Sequence, residues 1–149
     1  QTQITRAMVH EFIAIDKDFN VFELQDALGK GDSARAQTIA RMMMKNTKAN
    51  PPILLVAQLF AYYQKLGICA QAGARDEQSI AKVLGMSPFI ARNYVIPVKR
   101  HSIAHIHRAL ELIYQADLQL KGIERTEQPA AYVFETLMLR LLLPAGVGV

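Results

Sequence analysis

The sequence is poor in cysteine and in aromatic residues, and it lacks the alternating pattern of β-strands. Its 149 residues include a single cysteine, Cys69, no tryptophan and 7% aromatic residues. One cysteine excludes an internal disulfide, which fits a reducing compartment, so we expect a cytoplasmic protein. Alternating runs of β-branched residues are missing outside the helical patterns described below, which argues against a sheet.

Long uninterrupted apolar runs are also missing. Residues 1–16 contain no continuous apolar core of the kind that a secretory signal needs. The best candidate for a membrane span, residues 53–63, is shorter than the roughly 20 residues needed to cross a bilayer, and it contains Gln58. We therefore expect no signal peptide and no membrane contact. Because the chain begins at Gln1 and not at a methionine, we expect a fragment of a longer protein.

The residues that are present describe one globular domain. Hydrophobic residues make up 51% of the chain and charged residues 20%, which is a folded and not a disordered composition. A chain of this length buries about two thirds of its unfolded surface. The formal net charge of +4 is compatible with contact to nucleic acid or to an acidic protein surface, and it requires neither.

Hydrophobic spacing and capping residues predict a compact all-α bundle of about seven or eight helices. Asn20, followed three residues later by Glu23, has the spacing of a helix N-terminus. Gly29 and Gly31 permit the positive φ that ends this helix, and Asp32 caps the next. The predicted helices cover residues 5–15, 21–28, 33–46, 51–72 after an Asn50 cap, 76–84, a segment opened by Ser87 and broken at Pro97, 102–121, and 129–143.

One short motif has the spacing of a calcium-binding loop but lacks its essential residues. Asp16, Asp18 and Asn20 alternate as the first ligands of such a loop do. Val21 stands where the sharp turn requires glycine, and Ala27 stands where a bidentate glutamate closes the site. We interpret these acidic residues as helix-boundary residues.

Two further patterns also lack residues that a binding site would require. The Gly-Lys pair at 29–30 lacks the upstream glycine and the following serine or threonine of a phosphate-binding loop. His101, His105 and His107 would need further ligands in a tetrahedral arrangement to bind zinc, but Cys69 is remote in sequence and no glutamate directly follows His101, so surface histidines are the better interpretation. We predict no catalytic, metal-binding or cofactor-binding residues, and no enzymatic activity.

The segment from Ile80 to Val95 carries the alternative function. Its spacing, with Gly85 at the turn, matches part of a helix-turn-helix unit, whose second helix reads bases in the major groove. The exposed positions of that second helix hold Pro88 and Phe89, which offer no hydrogen bonds to base edges. Because the turn matches the motif although these side chains do not, a DNA-binding regulator is kept as the alternative hypothesis.

Two groups of basic residues are candidates for contact with phosphates or with a protein partner. A solvated surface is their ordinary interpretation, whereas contact with a nucleic-acid backbone needs positive charge and no sequence readout. The candidates are Arg41, Lys45, Lys48, Arg92, Lys99 and Arg100.

Four segments, taken in order, resemble a known family. They are FNVFELQDALGKGDSARAQTIARMMM (19–44), ANPPILLVAQLFAYYQKL (49–66), IAKVLGMSPFIARNYV (80–95) and ALELIYQADLQLKG (109–122). Together they resemble the C-terminal helical domain of the DNA polymerase III delta subunit. That family belongs to the bacterial clamp loader, which opens the ring-shaped sliding clamp onto primed DNA.

The resemblance implies a division of the chain and a structural role. Residues 1–18 would be the last helix of the preceding AAA+ lid domain, and residues 19–149 the C-terminal collar domain. Collar domains of several subunits pack into a ring, and delta does not itself hydrolyse ATP. The implied partners are the ATP-hydrolysing gamma/tau-type subunits and delta-prime, with weak DNA contact as an addition. The sliding clamp would be bound only by an N-terminal module that this chain lacks.

A collar contact needs exposed apolar surface with a polar rim, in which aromatic and methionine side chains are enriched. Internal packing is the ordinary alternative for each such residue. The candidate interface residues are Met42, Met44, Tyr62, Tyr63, Tyr132 and Phe134.

Overall fold

The computed structural model describes residues 19–143, and every regular element in that range is helical. The predicted all-α bundle is confirmed. The helix predicted at residues 5–15, and the assignment of residues 1–18 to a lid domain, lie outside the described range. The helices are α1 (Val21–Lys30), α2 (Ser33–Met44), α3 (Pro52–Ala72), α4 (Glu77–Leu84), α5 (Pro88–Ala91), a 3₁₀ turn (Arg92–Tyr94), α6 (Val95–Arg100), α7 (Ile103–Leu120) and α8 (Ala130–Leu142).

The predicted caps are present at two of the first three helix starts. The side chain of Asn20 accepts a hydrogen bond from the Glu23 N–H at 3.0 Å, and Asp32 accepts from the Arg35 N–H at 3.2 Å. Each bond satisfies a donor that the first helical turn leaves free. The predicted Asn50 cap of α3 is wrong, because Pro51 occupies the cap position. Asn50 instead donates from Nδ2 to the carbonyl of Asn46 at 3.2 Å.

The two glycines near the end of α1 have different roles. Gly31 ends the helix in the left-handed region with φ 70°. Gly29 lies inside the helix and is buried, so the prediction that it takes part in the helix end is wrong. A Cβ atom at Gly29 would collide with the hydroxyl of Tyr62 and lie 2.7 Å from Cγ of Pro97. Gly29 therefore lets the backbone of α1 approach α3 and α6 closely.

Pro97 explains why the segment between α4 and α7 is broken into short pieces. A proline cannot donate a hydrogen bond to the carbonyl four residues earlier, and its ring clashes with that carbonyl. For Pro97 this carbonyl belongs to Asn93. The chain turns through the 3₁₀ segment Arg92–Tyr94 at that point and starts α6 with Pro97 in the first turn.

The centre of the bundle is the long α3, which packs along α7. Helix α8 covers α2 and α7, whereas α6 contacts α1 and α3. Fully buried side chains fill the space between them, among them Leu59, Leu66, Ile106, Ile113 and Met138. Each contributes about 1.5–3 kcal/mol through removal from water.

Helix α3 runs from Pro52 to Ala72 through Gly67, in agreement with the helix predicted over residues 51–72. Among the described helices, it alone has the length and composition that would suffice to cross a membrane. One side of it forms the core, with Leu55, Val56, Leu59 and Leu66 all buried. The place of α3 in the bundle explains this buried side, whereas Ile53, Leu54 and Ile68 of the same helix are 41%, 59% and 48% exposed.

We predict opposite effects of alanine at the two glycines inside helices. Gly29→Ala should lower the free energy of unfolding by about 1–2 kcal/mol, because overpacking outweighs the gain in helix propensity. Gly67→Ala should be neutral or stabilising by up to about 1 kcal/mol, because the nearest atom to its Cβ is Ile106 Cγ2 at 3.5 Å. Urea unfolding of both variants tests this. Equal stabilisation by both would contradict the close approach at Gly29.

Candidate functional site

The structure separates the predicted interface residues into buried and accessible ones. Tyr63 and Phe134 are 1% and 0% exposed, so the prediction that they contact a partner is wrong. Their side chains fill the core between helices of this chain. Met42 and Met44 are half-buried, and Tyr132, at the start of α8, is exposed.

A hollow lies beside α1, and we call it the α1 groove. It has a volume of about 510 Å³. Phe22 of α1 and Ile90 of α5 stand on its rim and are 73% and 50% exposed. Tyr94 of the 3₁₀ turn and Tyr62 of α3 also line the groove. Exposed apolar side chains around a concavity are a common feature of protein contact surfaces.

Tyr62, a predicted contact residue, lines the groove, but its hydroxyl is buried within the chain against Gly29. Its side chain is 95% buried, and its hydroxyl has no hydrogen-bond partner among residues 19–143. The ring is fixed by an edge contact with Tyr63 at 5.5 Å and by a tilted contact with Tyr94 at 5.7 Å between centroids. Burial raises the pKa of Tyr62 well above its usual range, so the hydroxyl keeps its proton. A buried hydroxyl without a partner costs about 1–3 kcal/mol.

Asp26 supplies the charge beside the groove, and that charge is already neutralised. Its carboxylate accepts from Arg35 at 2.7 Å and from Lys30 at 3.1 Å. Burial alone raises the pKa of Asp26, but the hydrogen bonds and positive charges of Arg35 and Lys30 bring that pKa below its ordinary value. The groove therefore has a mixed lining, in which Phe22 and Ile90 stand among polar and charged residues, and the Asp26 carboxylate is paired within the chain.

His101 is buried and not a surface histidine, contrary to the sequence interpretation. Its Nδ1 lies 2.7 Å from the carbonyl of Pro97, which requires the proton on Nδ1. The ring contacts Tyr63 at 5.8 Å and His105 at 4.8 Å between centroids. Burial lowers the pKa of both histidines, and the positive charge of Arg100 lowers each further. Among the described residues, no group of three or more metal-binding side chains converges here or elsewhere.

The basic candidates do not form one surface. Arg41 and Lys45 lie at the C-terminal end of α2, and Lys48 follows in the next loop, all exposed. Lys99 and Arg100 end α6 and border a second hollow, which Arg41, Lys45 and Lys48 do not line.

The helix after Gly85 is too short to serve as the recognition helix of a helix-turn-helix unit. Gly85 makes the turn after α4 as predicted, with φ 67°. The helix that follows, α5, has four residues, which is too short to present several side chains along a major groove. Arg92 is already occupied, since it pairs with Glu77 at 3.5 Å and lies over the ring of Phe89 at 5.4 Å.

Sequence reasoning missed the rim of the α1 groove. Phe22 lies off the apolar face formed by Val21, Leu24 and Leu28, and Ile90 belongs to a segment that the sequence pattern relates only to DNA reading. The available signal was a large aromatic residue on the polar side of an otherwise amphipathic helix. Such a residue is either exposed or covered by another chain.

Comparison with known proteins gives a family match. A family model described as "DNA polymerase III delta subunit, C-terminal domain" matches residues 18–141, which is most of the chain. No curated protein and no solved structure gives a match.

The buried histidines predict that stability falls with acidification. The pKa of His101 and that of His105 are lower in the folded chain than the ordinary value of 6.5. As the pH falls below 6.5 towards the lower pKa values of the folded chain, the unfolded state binds more protons than the folded state. The free energy of unfolding therefore decreases over this pH range. Urea midpoints at about pH 7.5 and about pH 5 should differ less in His101→Gln/His105→Gln than in the unsubstituted chain. An unchanged difference would contradict burial of neutral histidines, and His107→Gln, at an exposed position, is the control.

Proposed function

The chain belongs to the family formed by the C-terminal domains of DNA polymerase III delta subunits, and we propose that it acts as the collar part of a clamp loader. In this role the domain joins its own polypeptide to neighbouring subunits by helix-to-helix packing. It carries out no reaction and holds in place the modules that do.

The α1 groove is the observation that supports this proposal. Its rim exposes Phe22 and Ile90, and the rings of Tyr62 and Tyr94 also line it. A partner that inserts an apolar side chain between these residues would cover the exposed apolar surface. Buried aromatic anchors in pockets provide most of the binding energy in protein interfaces.

The charges around the groove favour a protein partner that covers it. Asp26 is paired with Lys30 and Arg35 within the chain, so a partner would not leave an isolated carboxylate in a dry contact. A buried charge without a partner is strongly destabilising, and its absence removes one cost of association. A stable contact would bury about 1,600 Å² in total, so the groove would be the centre of a wider surface.

We assign the partners by the family role. They are the ATP-hydrolysing gamma/tau-type subunits and delta-prime, in the cytoplasm, and the sliding clamp is not a partner of this domain. Tyr132, exposed at the start of α8, and the half-buried Met42 and Met44 stay candidates for contact with a second neighbour. The one-turn length of α5 makes a DNA-binding regulator the weaker hypothesis.

Removing the apolar rim should weaken association with the other clamp-loader subunits. We predict that Phe22→Ala/Ile90→Ala reduces the affinity by at least about tenfold, because the two side chains would supply anchor contacts. The matched control is Ile123→Ala, since Ile123 is 71% exposed but does not line the groove. Affinity is measured by co-purification and by titration with the purified subunits. A larger loss for the control than for the groove variant would contradict the assignment.

Tyr62→Phe should separate stability from binding. Removing a buried hydroxyl that has no partner should leave the isolated chain as stable as before or about 1 kcal/mol more stable. Because this hydroxyl is buried against Gly29, the same variant should bind the other subunits as tightly as the unsubstituted chain. Thermal unfolding and the association assay measure the two effects. Lower stability, or weaker association, would contradict a hydroxyl that is buried in the chain without a partner.

A further inference from the structure

A further groove lies between α7 and α8, and we call it the α7/α8 groove. Its apolar walls include Leu112 and Ala116 of α7 and Val133 and Leu137 of α8, and Arg140 of α8 also lines it. Its volume is about 160 Å³, below the roughly 300–1,000 Å³ of cavities that enclose small ligands. The groove is therefore suited to a side chain of a partner protein and not to a small molecule.

The register of the two helices places a second arginine opposite Arg140. Leu112 of α7 and Leu137 of α8 line the groove together, whereas His105 shares another hollow with the last residues of α8. The two helices therefore run antiparallel. Arg108 lies between these two levels, one helical turn before Leu112 and on the same side of α7. Arg108 and Arg140 consequently stand at the end of the groove that is away from the loop between α7 and α8.

Both arginines are half-buried, and neither is neutralised within the described part of the chain. Nε of Arg140, and Nε and Nη2 of Arg108, are buried without a hydrogen-bond partner. None of the ion pairs among residues 19–143 includes either side chain. The remaining nitrogens, Nη1 of Arg108 and both Nη atoms of Arg140, are not buried. Each guanidinium group is therefore fixed by packing on one edge and accessible on another.

The surroundings of the two arginines leave their positive charge uncompensated. No acidic side chain lines the α7/α8 groove. Asp117 on α7 is already paired with Lys121 at 2.9 Å. Burial lowers the pKa of His105, and the positive charge of Arg108 lowers it further. Two like charges at one end of a groove repel each other, so a carboxylate bound there would be stabilised by both.

We propose that Arg108 and Arg140 bind the carboxylate of an aspartate or glutamate that a neighbouring clamp-loader subunit inserts into this end of the α7/α8 groove. Guanidinium groups bind carboxylates through charge-assisted and often paired hydrogen bonds. The apolar walls of the groove cover the methylene groups of the acidic side chain. The inference rests on the collar role proposed above and adds a contact surface separate from the α1 groove.

A protein carboxylate fits these observations better than a phosphate of nucleic acid. Binding along a nucleic-acid backbone needs several cations on one path. Arg140 is the only cation that lines the α7/α8 groove, and apolar and neutral polar side chains form the rest of the lining. Tyr132, which is 54% exposed, lines the same groove. Tyrosine and arginine are both enriched in protein interfaces.

The test compares two double variants of the 149-residue chain that remove equal charge. Arg108→Gln/Arg140→Gln removes the two guanidinium groups, and Lys65→Gln/Lys82→Gln removes two exposed lysines that do not line the groove. Titration with the purified gamma/tau-type and delta-prime subunits gives the affinities. The arginine variant should bind its neighbour at least about tenfold more weakly, because a desolvated charge pair is lost. The lysine variant should stay within about threefold of the unsubstituted chain.

Two further measurements separate a carboxylate contact from general attraction between charges. Arg108→Lys/Arg140→Lys keeps both charges but loses the planar donor groups, so it should still bind about threefold or more weakly. The Nε–H NMR signals of Arg108 and Arg140 in the unsubstituted chain should shift when the subunits are added. This measurement needs no variant, so it tests the contact even if a substituted chain folds poorly.

Several outcomes would overturn the inference. Equal losses in the arginine and lysine variants would mean diffuse electrostatic attraction. Association that is independent of both arginines, with unchanged Nε–H signals, would place them outside the interface. If the arginine variant loses affinity for labelled DNA but not for the subunits, the ligand is a phosphate. If the unsubstituted chain binds none of the subunits, the collar role itself fails, so the two failures are distinguishable.

Discussion

The contact on which the rest of the structure depends is the close approach of the α1 backbone to α3 and α6 at Gly29. Since Gly29 has no side chain, the hydroxyl of Tyr62 and the ring of Pro97 come directly against the helix. Tyr62 and Phe22 both line the α1 groove beside this contact. Gly31, two residues later, lies against Arg100, which borders the second hollow.

Pro97 determines how the segment between α4 and α7 lines the α1 groove. Because Pro97 cannot continue a long helix from α5, the chain between α4 and α7 runs as three short pieces. The first two present Ile90 and Tyr94 to the α1 groove, and the third ends in Lys99 and Arg100 beside the second hollow. Gly29 and Pro97 therefore both shape the surroundings of the α1 groove, although neither carries chemistry.

The fold was largely predictable, because caps and helical periodicity are local signals. Asn20, Asp32, Ser87 and Ser102 all cap the helices that their positions predict. The candidate site was much less predictable. Periodicity shows which side of a helix is apolar, but it does not show whether that side faces this chain or another. For this reason it predicts partner contacts at Tyr63 and Phe134, which are buried, and it overlooks Phe22. The close packing at Gly29 and the burial of His101 arise between segments distant in sequence, and no local pattern reports them.

The central claim is that the surface around the α1 groove is where the neighbouring subunit binds. Amide hydrogen exchange of the 149-residue chain, measured alone and with the assembled gamma/tau-type and delta-prime subunits, tests it most directly. The account predicts slowed exchange concentrated in residues 20–30 and 88–95, with little change in the loop that contains Ile123. Protection confined to that loop or to the far ends of α7 and α8, with α1 unchanged, would contradict it.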